Sequence, residues 1–173
     1  MKLDLQPIAG VEGASMPFDF SMDLHEVELS GEYPFAEPVR VNGKVTMGPS
    51  GFELSGSAET TLHVHCARCG KEVERSFSVP LSGLLLNGAD PDDLDAFPLE
   101  GTTADLSLIA QSILLVEMDM VFLCSPDCKG LCPRCGADLN EGACSCHGKQ
   151  ADPRLAPLAD LLARMKEEEK KDK

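Results

Sequence analysis

The sequence predicts an α+β fold: an antiparallel sheet, curled or barrel-like, in the N-terminal half, then a buried helix, a cysteine-rich module and a C-terminal helix. Three observations predict it. Apolar residues alternate with period two between Val39 and Leu86, they switch to helical spacing between Leu106 and Leu114, and eight cysteines fall into four close pairs. The implied organisation is a β-rich body over 1–120, with its helix at about 103–118. A cysteine-rich metal-binding module over 121–150 and a helix with a charged tail over 151–173 follow.

The strands come first. "VRVNGKVTM" (39–47) places Val39, Val41 and Val45 on one face, and "GFELSGSAETTLHVHC" (51–66) does the same with Phe52, Leu54, Leu62 and Val64. Asn42-Gly43 and "GPSG" read as the turns between these runs. "SFSVPLSGLLL" (76–86) is a further strand whose Pro80 marks an edge or a bend. "NGADPDDLDAFPLEG" (87–101) is an acid-rich connection; its acids at 90–95 could attract Mg²⁺, but a solvated loop is the expected reading.

In "TTADLSLIAQSILLVEM" (102–118), Leu106, Ile109, Ala110, Ile113 and Leu114 repeat at helical spacing, with Thr103 or Asp105 as the N-cap. This is a core helix packed on the sheet rather than a cofactor site. At the other end, "DPRLAPLADLLARMKEEEKKDK" opens with Asp152 as a cap and Pro153 in the first turn. Leu155, Leu158, Leu161, Leu162 and Met165 then form an apolar face.

Charge and compartment constrain the function. The 173 residues carry 29 acids against 15 Lys and Arg, a net charge of −14. The opening "MKLDLQPIAG" lacks the apolar stretch of a signal peptide, and no run is long and apolar enough for a spanning helix, so a cytoplasmic protein is expected. Thiols stay reduced there, which favours metal over disulfides for clustered cysteines.

The pairs are Cys66/Cys69, Cys124/Cys128, Cys132/Cys135 and Cys144/Cys146. Tetrahedral zinc takes four thiolates, so four pairs make two complete sites. "CPRCGADLNEGACSC" is a knuckle, in which a glycine follows the second cysteine, with a returning pair eight residues later; it groups Cys132, Cys135, Cys144 and Cys146 in a zinc-ribbon-like site. By elimination Cys66 and Cys69 share the other ion with Cys124 and Cys128, tying the sheet to the C-terminal module. A single site from Cys124, Cys128, Cys132 and Cys135 would leave Cys144 and Cys146 unexplained, and the spacing departs from that of ferredoxins.

Closed all-cysteine sites are structural, so no catalytic residue is assigned and an enzyme is not expected. His63 and His65, leading into Cys66, read as surface histidines, with metal ligation or RNA stacking as alternatives; His147 is an alternative ligand beside Cys146. Within the acidic body, basic spots lie beside the cysteines, while the segment from Asp152 is neutral, with six charges of each sign. Arg68, Lys71, Arg75, Lys129 and Arg134 are therefore the candidate RNA contacts, against the simpler reading that they compensate thiolate charge.

Together, "CARCG" after a β-rich half, "DLSLIAQSILLVEMDM", "LCSPDCKGLCPRCGADLN", "CSC" and "DPRLAPLADLL" resemble the YceD family of large ribosomal RNA subunit accumulation proteins. The resemblance runs from about residue 15 to 163. It implies a role in ribosome biogenesis, in accumulation or processing of large-subunit rRNA, with a basic ribosomal protein, an assembly factor or the rRNA itself as partner. No membrane and no small-molecule substrate is implied. A chain at −14 is repelled by RNA at long range, which favours a basic protein partner over direct rRNA contact. The rivals are a zinc-dependent enzyme acting on RNA or protein, and an acidic protein-interaction module unrelated to ribosomes.

Overall fold

The structure is a computed structural model, and it describes residues 1–89, 95–146 and 161. The chain divides into two compact units, Met1–Cys128 and Lys129–Lys173. The sequence places the boundary at 120/121; the division instead falls after Cys128, because the segment carrying Cys124 and Cys128 is hydrogen-bonded to the first unit.

The first unit contains seven strands and one α-helix among its described residues. They are β1 (Lys2–Asp4), β2 (Ser15–Met22), β3 (Val39–Gly48), β4 (Gly51–His65), β5 (Glu72–Leu86), β6 (Ala96–Pro98), β7 (Thr103–Asp105) and α1 (Leu106–Glu117). Strands β2 to β6 form one curled sheet in sequence order, while β1 and β7 pair separately. Alternation accounts for the buried face. Val39, Val41 and Val45 of β3, Phe52, Leu54, Ala58, Leu62 and Val64 of β4, and Val79, Leu81 and Leu85 of β5 all point inward.

Helix α1 lies against β5 and β1 and buries Leu106, Ile109, Ala110 and Leu114. Asp105 caps it, its carboxylate accepting the Leu108 N–H at 3.3 Å. The helix is shorter than the predicted span of about 103–118. Thr103 to Asp105 pair with Lys2 to Asp4 as a strand, so the helix starts only once that ladder ends.

Three further expectations change. Asn42-Gly43 is not a turn but the middle of β3, with Gly43 opposite Phe18 on one side and Gly56 on the other. A Cβ at Gly43 would run into the Ser55 carbonyl, Gly56 and the Phe18 ring, so this glycine serves close packing. The sheet is also not purely antiparallel: β6 adds to β5 in parallel, Leu84 opposite Ala96. Finally β1 and β2 occupy a stretch where the alternation assigns no strand, and β2 forms the edge of the sheet.

Pro80 lies in β5 opposite Ser57, and among the described residues the outer neighbour β6 pairs only with Leu84 to Leu86, so Pro80 stands where β5 has a strand on one side. The expected C-terminal helix and the acids of 90–94 lie outside the described residues, as does His147. Among the described residues no helix is long and apolar enough to cross a membrane.

Candidate metal centres

Strands β4 and β5 pair without interruption from Phe52 opposite Leu85 to His65 opposite Glu72. The six residues between them, Cys66-Ala67-Arg68-Cys69-Gly70-Lys71, are the tip of this long hairpin. The Cys66 N–H donates to the Lys71 carbonyl and the Gly70 N–H to the Cys66 carbonyl, both at 2.8 Å. Gly70 takes a φ of +70°, which L side chains rarely adopt, and the chain turns there so that both sulfurs lie on one side.

The segment after α1 brings the second pair. The Ala67 N–H donates to the Phe122 carbonyl at 2.9 Å. Arg75 Nη2 donates to the Leu123 carbonyl and Arg68 Nη1 to the Cys128 carbonyl, each at 2.8 Å. Cys128 Sγ then lies 3.7 Å from Cys66 Sγ, and Cys124 Sγ lies 3.6 Å from Cys69 Sγ. All four sulfurs are within 4.8 Å of one another. With metal–sulfur bonds of about 2.3 Å, sulfurs at the corners of a tetrahedron sit about 3.8 Å apart, so the spacing fits a four-thiolate metal ion. Cys66, Cys69 and Cys128 are buried at 2, 7 and 4% exposure, and Cys124 is open to solvent.

The second unit repeats the turn. In Cys132-Pro133-Arg134-Cys135-Gly136-Ala137 the Cys132 N–H donates to the Ala137 carbonyl at 2.8 Å and the Gly136 N–H to the Cys132 carbonyl at 2.9 Å. Gly136 has a φ of +72°. Beyond the turn, the Leu139 N–H donates to the Gly130 carbonyl at 2.9 Å and Asn140 Oδ1 accepts the Lys129 N–H at 2.8 Å. The returning chain brings Cys144 and Cys146 to Cys132 and Cys135, again with all four sulfurs within 4.8 Å. Here Cys132 alone is buried.

Thiol acidity follows the same pattern in both sets. The Cys66 thiol is lowered to about 6, chiefly by the backbone N–H of Cys124. Cys132 is lowered to about 6, chiefly by the backbone N–H groups of Cys135 and Arg134. Their partners move the other way: Cys128 sulfur pushes Cys124 up to about 12, and Cys135 sulfur pushes Cys146 up to about 12. One thiol of each set ionises readily while another keeps its proton, since crowded thiolates repel. A dication at the centre removes that conflict.

The five candidate RNA contacts are all exposed, but two have structural work. Arg68 and Arg75 hold carbonyls of the loop that carries Cys124 and Cys128, a role the sequence reading missed; their positions beside the first knuckle were the available signal. His63 and His65 sit near Glu74 and Glu32, with Nδ1 to carboxylate distances of 4.0 and 3.1 Å, and neither joins a sulfur cluster.

Comparison with known proteins gives the chain a family. Residues 54–162, which contain all eight cysteines, match the family described as large ribosomal RNA subunit accumulation protein YceD. An Arabidopsis thaliana protein named large ribosomal RNA subunit accumulation protein YCED homolog 1, chloroplastic, is 27% identical over 86% of this chain. The chain spans 56% of the length of that relative. The uncharacterized protein YlbN of Bacillus subtilis is 26% identical, with 94% of this chain and 96% of the relative aligned. An uncharacterized protein of Mycobacterium tuberculosis is 31% identical over 65% of this chain and 56% of its own length. No solved structure matches the chain. With the matched segment covering well over half of its length and every cysteine, the chain belongs to the YceD family.

Proposed function

We propose that this protein is a non-enzymatic ribosome biogenesis factor, held together by two structural zinc ions, that supports accumulation or processing of the large-subunit rRNA. The observation that carries this reading is the presence of two four-cysteine sets inside the segment matched to the family. Four thiolates fill the coordination of zinc and leave no position for a reacting water, so such an ion acts as a staple. Zinc suits the donor set, since soft thiolates in tetrahedral array favour it.

Partner choice follows from charge. A net −14 opposes direct phosphate contact, and Arg68 and Arg75 are already engaged with backbone carbonyls. The favoured partner is therefore a basic ribosomal protein or assembly factor, with the effect on rRNA following from that contact.

Two measurements test the reading. Elemental analysis of reduced, carefully prepared protein is expected to return two zinc per chain; one zinc, iron or no metal would overturn the metal assignment. Gradient profiles of cells depleted of the protein are expected to lose mature large subunits, and unchanged subunit ratios would remove the ribosomal role.

A further inference from the structure

A groove of about 530 Å³ opens in the first unit beside the Cys66 knuckle. One wall is Cys66, Ala67 and Gly70 of the knuckle with Val64 of β4; the other is the segment leaving α1. Its lining is mainly apolar, from Leu29, Pro34, Leu115, Met118, Met120 and Phe122. Met120 is 85% exposed, and the adjoining Val121 and Tyr33 are exposed too, so apolar surface continues past the mouth.

The rim is acidic. Glu28, Glu32 and Asp119 line the groove together with His65, and no Lys or Arg does. Glu32 is engaged, accepting the His65 backbone N–H at 3.2 Å with the His65 ring 3.1 Å away, so Glu28 and Asp119 are the carboxylates that face a partner. The loop bearing Glu28 and Glu32 is built rather than slack: Leu29 and Glu32 exchange backbone hydrogen bonds of 2.8 and 3.0 Å around Ser30 and Gly31. Ser30 is held at a φ of +54°, a strained conformation for a residue with a side chain, and such strain persists only where the surroundings enforce it. The opposite wall is fixed by the bond from the Ala67 N–H to the Phe122 carbonyl. Both walls are thus set before any partner arrives.

We infer that this groove is the docking site for a short basic segment of a protein partner, which buries a bulky apolar side chain against Met118, Met120 and Leu115 and sets Lys or Arg against Glu28 and Asp119. The inference rests on the proposed function for the choice of a basic partner and adds where that partner binds. The apolar lining supplies affinity and the acidic rim supplies orientation and rate. The same rim repels phosphate, which argues against a nucleic-acid strand in this groove.

The test uses the full-length, metal-loaded protein and a labelled twelve-residue peptide in which a Phe-Leu centre is flanked by Lys and Arg. Fluorescence anisotropy is expected to show binding that falls at least about tenfold when Phe-Leu is replaced by Ser-Ser. A similar fall is expected for the protein variant Glu28→Lys with Asp119→Lys, and for Met120→Ser, all exposed positions whose change leaves the thermal melt in place. Absence of peptide binding, or equal binding by all variants, overturns the inference. So does a twelve-residue oligouridine that binds and responds to the same variants, a peptide copying residues 152–166 that displaces the probe, or dimerisation that Met120→Ser abolishes. A failed peptide experiment leaves the gradient profile to stand by itself, and an unchanged gradient profile leaves the peptide result intact.

Discussion

The two four-cysteine sets begin from the same turn and end in different places. Both knuckles close with a pair of backbone bonds of 2.8 to 2.9 Å and a glycine near φ +70°. In the first set the knuckle caps the β4–β5 hairpin, and its partners come from 55 and 62 residues away. In the second, the partners return within the short stretch from Cys132 to Cys146. Three of four cysteines are buried in the first set and one in the second. The knuckle is therefore a local device that six residues specify, and the origin of its second pair decides how much of the fold a bound metal would hold.

Breaking one ligand in each set gives the largest contrast. Cys66→Ser and Cys132→Ser are each expected to lower the zinc content from two ions to one. Cys66→Ser also reopens a loop of more than fifty residues, whose closure is worth about 4 kcal/mol by analogy with a disulfide, and its thermal melt should fall accordingly. For Cys132→Ser the loss should be confined to 129–146, from which all four described ligands come. Circular dichroism melts read beside metal content decide this, and equal melting losses would show that sequence distance between the pairs does not matter.

The loop that brings the distant pair needs holding, and a smaller effect follows from its clamps. Arg68→Ala and Arg75→Ala each remove a donor from a carbonyl of the Cys124–Cys128 loop. Charged hydrogen bonds contribute about 1.5–3 kcal/mol when buried, but both guanidinium groups belong to exposed residues, so a cost of about 1 kcal/mol each is expected. Hydrogen exchange should speed up between residues 122 and 128 while the centre of β4 stays protected. Unchanged exchange there would return both arginines to the status of free surface charge, available to a partner.

Spacing made the cysteine grouping legible, because the Cys132 knuckle and the pair returning eight residues later form one zinc-ribbon-like set, which leaves Cys66 and Cys69 to Cys124 and Cys128. The helix was legible from Leu106, Ile109, Ala110 and Leu114, and β4 from its even-numbered apolar residues. Elsewhere local signals were overruled by neighbours distant in sequence. Asn42-Gly43 carries strong turn chemistry, but Gly43 has Phe18 and Gly56 across the sheet, and their close approach explains the glycine. In β2, Met16, Phe18, Phe20 and Met22 do alternate, yet Pro17 interrupts the run, and an edge strand with one partner tolerates it. The parallel β6 has three residues and no periodicity to detect. The arginine clamps stand beside the first knuckle, but their acceptors are carbonyls 48 and 60 residues away, which no local pattern names.

The smallest expected difference between the two sets lies in their turns, which should be alike in energy as well as in geometry. Gly70 and Gly136 have φ of +70° and +72°, and a Cβ built on either meets nothing within 4 Å. Alanine at these positions therefore clashes with no neighbour, and its cost is that of forcing an L residue into the left-handed region, about 1–2 kcal/mol. Gly70→Ala and Gly136→Ala should each weaken zinc about tenfold in competition with a chelator, by the same factor within error. Asparagine, which tolerates this conformation, should cost less at both positions. A larger loss at Gly70 would mean that the hairpin it caps transmits strain into the sheet, so that the distant pair and the turn are coupled; equal losses would leave the difference between the two sets to their second pairs.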